Sequence, residues 1–196
     1  MKRCKIIGLT GQTGAGKSTV LRCWQQRDVC VFDSDLVVRK IYDGGSACLK
    51  AVAAQFGADI INTDQSLNRP LLAQRAFADP ESTRALNELV HPFVMAEMLK
   101  TIKRERPEVL ICDAPQLFES NLDVLCDVIV SVVAEEETRI KRICRRDGLT
   151  EQQARQRVSA QYDEAFFRAH SDHVLENNSD ESQLLHKAEA IAQVIF

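Results

Sequence analysis

The chain has 196 residues, 45% of them apolar and 27% charged, with a formal net charge of −3. This suits one ordinary globular core with room for a small appended region. The slight negative charge gives no general attraction to nucleic acid or acidic membranes, so neither is expected as a partner. No apolar run approaches bilayer-spanning length. The seven cysteines are scattered singly, without a C-x-x-C pair. That is the usage of a reducing compartment, not of a disulfide or zinc framework. The first residues lead straight into an apolar segment, so no export signal is expected and the cytoplasm is the expected location.

Cys4 to Leu9 reads as a buried strand. Gly11-Gln12-Thr13-Gly14-Ala15-Gly16-Lys17-Ser18 follows, and it fits G-x-x-x-x-G-K-[S/T] at every fixed position. Thr19 to Arg27 then reads as a helix. A strand, a glycine loop and a helix start form the phosphate cradle of a P-loop. Gly11, Gly14 and Gly16 let backbone N–H groups turn inward, and the helix N-terminus adds partial positive charge where phosphates lie. In this reading Lys17 reaches the β- and γ-phosphates and Ser18 offers its hydroxyl to Mg²⁺. Ala15 and Thr19 complete the nucleotide-binding set.

Cys30-Val31-Phe32 is a second strand, ending at Asp33-Ser34-Asp35, and a helix runs on to about Tyr42. Ala47 to Phe56 is helical and closed by Gly57. Asp64 to Leu67 reads as a turn, and Pro70 and Pro80 mark helix starts. Glu81 to Glu105 is helical in pattern, with a break or kink expected at His91-Pro92. Val109 to Cys112 is a third strand closed by Asp113, and Val128 to Val133 is a fourth. Glu135 to Arg146 is an amphipathic helix. A further helix is expected from Thr150 to about Arg168, then a short strand at Val174-Leu175 and a closing helix from Ser182 to Val194. Continuous apolar strands between helices predict an α/β fold, a parallel sheet covered on both faces. Ligands of such sheets bind beyond the carboxyl ends of the strands, where the glycine loop, Asp33 and Asp113 all fall.

A GTPase switch needs D-x-x-G and N-K-x-D, and neither occurs in the chain. A small-molecule kinase needs an acceptor-positioning group, an acceptor pocket and a cationic lid, because phosphoryl transfer is largely positioning and charge neutralisation. The lid candidate is Glu137 to Arg157, with seven basic residues against three acidic ones. Arg142 and Arg146 are four apart and share a helix face. Gly148 is a candidate hinge and Thr150 a cap for the next helix. A solvated charged helix is the alternative.

Several separated segments, in order, resemble the dephospho-CoA kinases, which phosphorylate the ribose 3′-hydroxyl of dephospho-CoA. The glycine loop, Asp33-Ser34-Asp35 with Arg39, Leu86-Asn87 with His91-Pro92, and Asp113-Ala114-Pro115-Gln116-Leu117-Phe118-Glu119 carry the resemblance. So do Arg142 with Arg146-Asp147, Gln161, and Asp172 to Asn177. It implies a three-layer P-loop fold in a single kinase domain. The nucleotide core would lie at about 1–34 and 107–134 with the C-terminal part, a helical acceptor-binding region at about 35–106 and a lid at about 137–157. ATP is the implied co-substrate, with Mg²⁺ held by Ser18 and Asp113.

Asp33 is implied to face the acceptor hydroxyl as base or orienter, with Lys17, Arg142 and Arg146 stabilising the transferred group. Asp35, Arg39, His91 and Gln161 are implied to contact the substrate, and Asn177 the adenine. From the residues alone, Asp33 or Asp35 reads as an N-cap of the following helix, Asp113 as a turn-forming residue, Arg39 as the i,i+4 ion-pair partner of Asp35, His91 more often as a structural histidine than a catalyst, and Asn177 as a surface turn. A monomer or weak homo-oligomer is expected. Three departures stand out: Gln12 replaces a second glycine on the loop's outer rim, Gln116 replaces a leucine, and Ala165-Phe166-Phe167 replaces an E-E-K block after Gln161. Another small P-loop kinase, or a catalytically silent nucleotide-binding module, is the alternative reading.

Overall fold

The computed structural model describes residues 3–196. Five strands form one sheet: β1 (Lys5–Gly11), β2 (Cys30–Asp33), β3 (Val109–Asp113), β4 (Val128–Val133) and β5 (His173–Glu176), in the order β2-β3-β1-β4-β5. β1 pairs in parallel with β3 and β4, and β4 with β5. Nine α-helices lie between and after them among the described residues: α1 (Lys17–Trp24), α2 (Ser34–Ile41), α3 (Ala47–Phe56), α4 (Arg69–Ala76), α5 (Pro80–Glu105), α6 (Glu136–Asp147), α7 (Glu151–Ser159), α8 (Glu164–Ala169) and α9 (Glu181–Ile195). This is the α/β architecture expected from the apolar strands.

Two compact units are distinguished, Phe32–Arg106 and the remainder of the chain on either side of it. In the larger unit, side chains alternate across the strands. Ile7 and Leu9 of β1 and Val130 and Val132 of β4 join Val20 and Trp24 of α1 and Leu184, Ala188 and Ala192 of α9 in one buried cluster. Trp24 is fully buried, and its Nε1 donates to the Ala188 carbonyl at 2.9 Å, so the one polar atom of the ring is satisfied inside the core. Losing such a ring to alanine costs about 3–5 kcal/mol. The intervening residues face the other side, where Ser131 bonds the Ser171 hydroxyl at 2.6 Å. Both faces are therefore covered.

In the smaller unit, α5 packs against α2, α3 and α4. Asn68 and Asp79 cap α4 and α5, each ahead of a proline in the first turn, as Pro70 and Pro80 predict.

Two expectations are corrected. The break offered for His91-Pro92, as the alternative to a kink, does not occur, because α5 runs on through it. Pro92 withholds the N–H that would reach the Glu88 carbonyl, yet burial of Val94 and Met98 on the same helix holds the element together. The single helix expected from Thr150 to Arg168 is two, α7 and α8. The Gln161 N–H closes α7 on the Val158 carbonyl at 3.2 Å. Asp163 then opens α8 by accepting the Phe166 N–H at 2.8 Å. Aspartate in a helical pattern competes with the backbone in this way, and here it wins as a cap.

Candidate active site

At the carboxyl end of the sheet's centre, β1 ends on Gly11 and hands the chain to the glycine loop. α1 begins at Lys17, two residues earlier than the sequence pattern suggests, so Gly16 is its N-cap. Gly16 has φ +110°, and a β-carbon there would lie 2.5 Å from Asn177 Nδ2; Gly14 has φ +78°, and its β-carbon would lie 2.9 Å from the Arg139 carbonyl. Both positions need glycine twice over, for backbone sign and for space.

The loop is fastened from three sides. Gln12 is buried, its N–H bonding the Val132 carbonyl at 3.0 Å and its Oε1 accepting the Ala134 N–H at 3.4 Å. It is thus an anchor to β4 and not an outer-rim residue. Asn177 follows β5, and its Nδ2 donates to the Ala15 carbonyl at 2.6 Å. Its burial removes the surface-turn alternative. Arg142, on α6, donates from Nη1 to the Asn177 carbonyl at 3.0 Å and to the Gly14 carbonyl at 3.5 Å, and from Nη2 to Asn177 Oδ1 at 3.4 Å. On the third side, Gln161 Oε1 accepts the Thr13 N–H at 2.8 Å.

Lys17 Nζ pairs with the Asp113 carboxylate at the tip of β3. Their side chains are only 15% and 12% exposed, so the pair is largely removed from solvent screening. Removing either partner strands the other's charge. Ser18 is exposed at the start of α1. The Thr19 hydroxyl is within 3.3 Å of Glu181 Oε1.

The sequence places Arg139 on a charged lid surface, yet it is buried beneath the loop. Its Nε donates to the Ala134 carbonyl at 3.0 Å, while Nη1 has no partner among the described residues. Burial pushes its pKa down, against the opposing pull of Glu136 and Glu164. A guanidinium with a spare donor beneath a phosphate cradle adds positive potential at low dielectric. Its place four residues before Ile143 and beside Ile140 puts it on the helix's buried face, a signal its charge overrides when the segment is read as a solvated lid.

Arg146 points elsewhere, into a bidentate pair with Asp147 at 2.7 and 2.9 Å. Arg157 approaches the same carboxylate at 2.5 Å. Arg155 bridges Glu136, Glu137 and Glu151. Gly148, in the left-handed region, caps α6, and Thr150 and Gln153 form a capping box on α7.

The remaining predicted residues belong to the smaller unit. β2 ends on Asp33, whose Oδ1 accepts the Leu36 N–H at 2.9 Å and caps α2. Asp35 therefore lies in the first turn and is not the cap. No ion pair joins Asp35 to Arg39 among the described residues. His91, within α5, has its Nε2 buried without a partner among the described residues.

Comparison with known proteins agrees with this geometry. The dephospho-CoA kinase family model matches residues 5–183. The chain is 38% identical over 183 residues to a dephospho-CoA kinase of Corynebacterium diphtheriae, covering 92% of each. It is 40% identical over 181 residues to one of Listeria monocytogenes, covering 89% of this chain and 88% of that protein. A crystal structure of a Thermus thermophilus protein superposes with a TM-score of 0.82 at 28% identity, covering 100% of both chains. With a fastened glycine loop, its lysine set against a strand-end aspartate, and these likenesses along nearly its whole length, the chain belongs to the dephospho-CoA kinase family.

Proposed function

We propose that this chain transfers the γ-phosphoryl group of ATP to the ribose 3′-hydroxyl of dephospho-CoA, giving coenzyme A. The observation that carries the proposal is the assembled phosphate loop, with Lys17 against Asp113, in a chain of this family. The donor set for Mg²⁺ suits a nucleotide-bound ion. Such an ion asks the protein for one or two oxygens and takes the rest from phosphates and water. Asp113 and the exposed Ser18 hydroxyl would supply them. Bound there, the ion neutralises charge on the phosphates.

Each step then falls to particular residues. The loop N–H groups and the α1 N-terminus hold the β-phosphate. Lys17 exchanges Asp113 for the transferring group. Asp33 uses the carboxylate oxygen not engaged in its cap to orient the 3′-hydroxyl and to accept its proton. Arg146 leaves Asp147 to meet the polyphosphate together with Arg142, and Asn177 borders the adenine. Asp35, Arg39 and His91 contact the acceptor; the unpartnered His91 Nε2 supports this, since a buried polar atom gains most from a ligand partner.

The organisation we infer is a single kinase domain with a nucleotide core, an acceptor-binding helical region at about 35–106 and a lid at about 137–157. It would act as a monomer or weak homo-oligomer in the cytoplasm. No helix of the described residues is long and apolar enough to cross a membrane.

An ADP-release assay tests the proposal. Fast release with dephospho-CoA, and only slow release with nucleosides, nucleotides or sugar acids, is expected; equal rates with and without dephospho-CoA would refute it. Asp33→Asn should lower turnover by about 100-fold or more with ATP affinity retained. Normal turnover in that variant would remove Asp33 from the chemistry.

A further inference from the structure

Gln161 sits in the link between α7 and α8, and its side chain reaches back to the nucleotide loop. The bond from Thr13 N–H to Gln161 Oε1 is 2.8 Å. Gln12, one residue earlier, is tied to β4, and Ala15, two residues later, is tied to Asn177. Thr13 lies between these anchors, at the part of the loop that neither of them fixes. A glycine-rich turn left free there samples many backbone states, and each must be given up when phosphate binds. A hydrogen bond to the Thr13 amide removes that freedom beforehand.

The segment that carries Gln161 is itself held by rings. Tyr162, Phe166 and His170 are spaced four apart and stack in a ladder. The Tyr162–Phe166 centroids lie 3.8 Å apart at 14° and the Phe166–His170 centroids 4.0 Å apart at 19°. Phe118, five residues after Asp113, meets the ladder edge-on, 5.3 Å from Phe166 and 6.0 Å from His170. It also packs against the buried Phe167 at 5.9 Å. Such aromatic contacts have preferred geometry and hold α8 in register on the segment after Asp113. Of these rings, Phe166 and Phe167 fall in the block that departs from E-E-K.

We propose that Gln161 is a positioning residue for the nucleotide loop, its bond to the Thr13 amide fixing the turn in the conformation that receives the triphosphate, and that the Tyr162–Phe166–His170 ladder with Phe118 keeps Gln161 in place. The inference rests on the kinase reading only in taking ATP as the nucleotide. It is tested by nucleotide binding without acceptor, so failure of dephospho-CoA as a substrate would leave it intact.

The experiment uses the full chain and Gln161→Met, which keeps length but replaces the amide oxygen with a weakly accepting thioether. The ATP dissociation constant and KM should rise about fivefold, the worth of one hydrogen bond. kcat and the KM for dephospho-CoA should stay within about twofold, and hydrogen exchange at the Thr13 amide should quicken in the nucleotide-free enzyme. Phe166→Ala should reproduce the loss of ATP affinity from a distance. A rise in the KM for dephospho-CoA with ATP unaffected would overturn the inference and make Gln161 an acceptor contact. A lowered Tm in Gln161→Met with no change in ATP affinity would overturn it in favour of a scaffold role. Unaltered ATP affinity in Phe166→Ala, with that of Gln161→Met reduced, would overturn the part given to the ladder.

Discussion

Around the nucleotide loop the contacts are buried or half-buried and mostly reach backbone: Gln12 on β4, Asn177 on Ala15, Arg142 on the Asn177 carbonyl, and Gln161 on Thr13. On the outer side of α6 and α7 they are exposed ion pairs, with Arg146 and Arg157 sharing Asp147 and Arg155 gathering three glutamates. The first kind is expensive to lose, because a stranded polar group inside a protein has no water to turn to. The second kind exchanges with solvent and salt at little cost. The loop is therefore fixed before nucleotide arrives, whereas the outer arginines are held loosely enough to be taken by incoming phosphates. Two arginines four residues apart, Arg142 and Arg146, come to have unlike environments because one falls on each side of this divide.

The largest effect should come from within the fixed region. Lys17→Ala removes the cation we propose for the transferring group and leaves Asp113 without its counter-charge in a largely buried place. Turnover should fall by about 1,000-fold or more, and nucleotide affinity should fall with it. A variant that keeps a tenth of the parent kcat would break the claim that Lys17 stabilises the transferred group. Gly16→Ala comes next. It forces an L side chain into φ +110° and against Asn177, which should cost about 1–3 kcal/mol of stability. ATP binding measured by calorimetry should be lost, because the strain falls on the turn that aims the amides.

The two arginines sharpen the contrast further. Arg142→Ala deletes donors to the Asn177 and Gly14 carbonyls, so both Tm and ATP affinity should drop. Arg146→Ala deletes an exposed pair, so Tm should hold, and the loss should appear in kcat through weaker neutralisation of the moving phosphoryl group. Equal Tm losses in the two variants would erase the distinction between the regions.

Much of this is legible in the sequence, and the reasons differ from residue to residue. The glycine loop can be read because its spacing has one mechanical use, and the strands because short, continuous apolar runs between helices suit a sheet buried on both faces. Asp113 and Asp33 can be placed at strand ends by the same logic. Side-chain direction is not readable. Gln12 and Arg139 are polar residues turned inward; no periodicity marks an inward turn in a loop, and the spacing of Arg139 four before Ile143 is overridden by its charge. The break between α7 and α8 is hidden because Asp163 fits a helix pattern and a helix cap equally well, and only the Phe166 N–H it captures decides between them. The division of Arg142 from Arg146 is hidden because helical spacing gives a shared face but not the partners on it.

The smallest expected effect lies in the outer region and concerns Asp147. The bidentate bond from Arg146, with a further one from Arg157, holds its carboxyl at about 2, below the ordinary 3.8. A carboxylate with a lowered folded pKa favours the folded state above its unfolded value, and that contribution is lost as pH falls through the folded value. The window is therefore about pH 4 down to pH 2, and the kinase should show no Asp147-linked change near neutrality. Carbon-detected NMR of the side-chain carboxyl should find a midpoint near 2 in the parent. Arg146→Ala should move it upward toward the ordinary value, only part of the way because Arg157 stays. Raising the salt should move the parent midpoint in the same direction, since the group is exposed and its partners are screened. A midpoint at the ordinary value in low salt would mean that Arg146 is not held by Asp147. The outer arginines would then be free of their acidic partners even before phosphate binds.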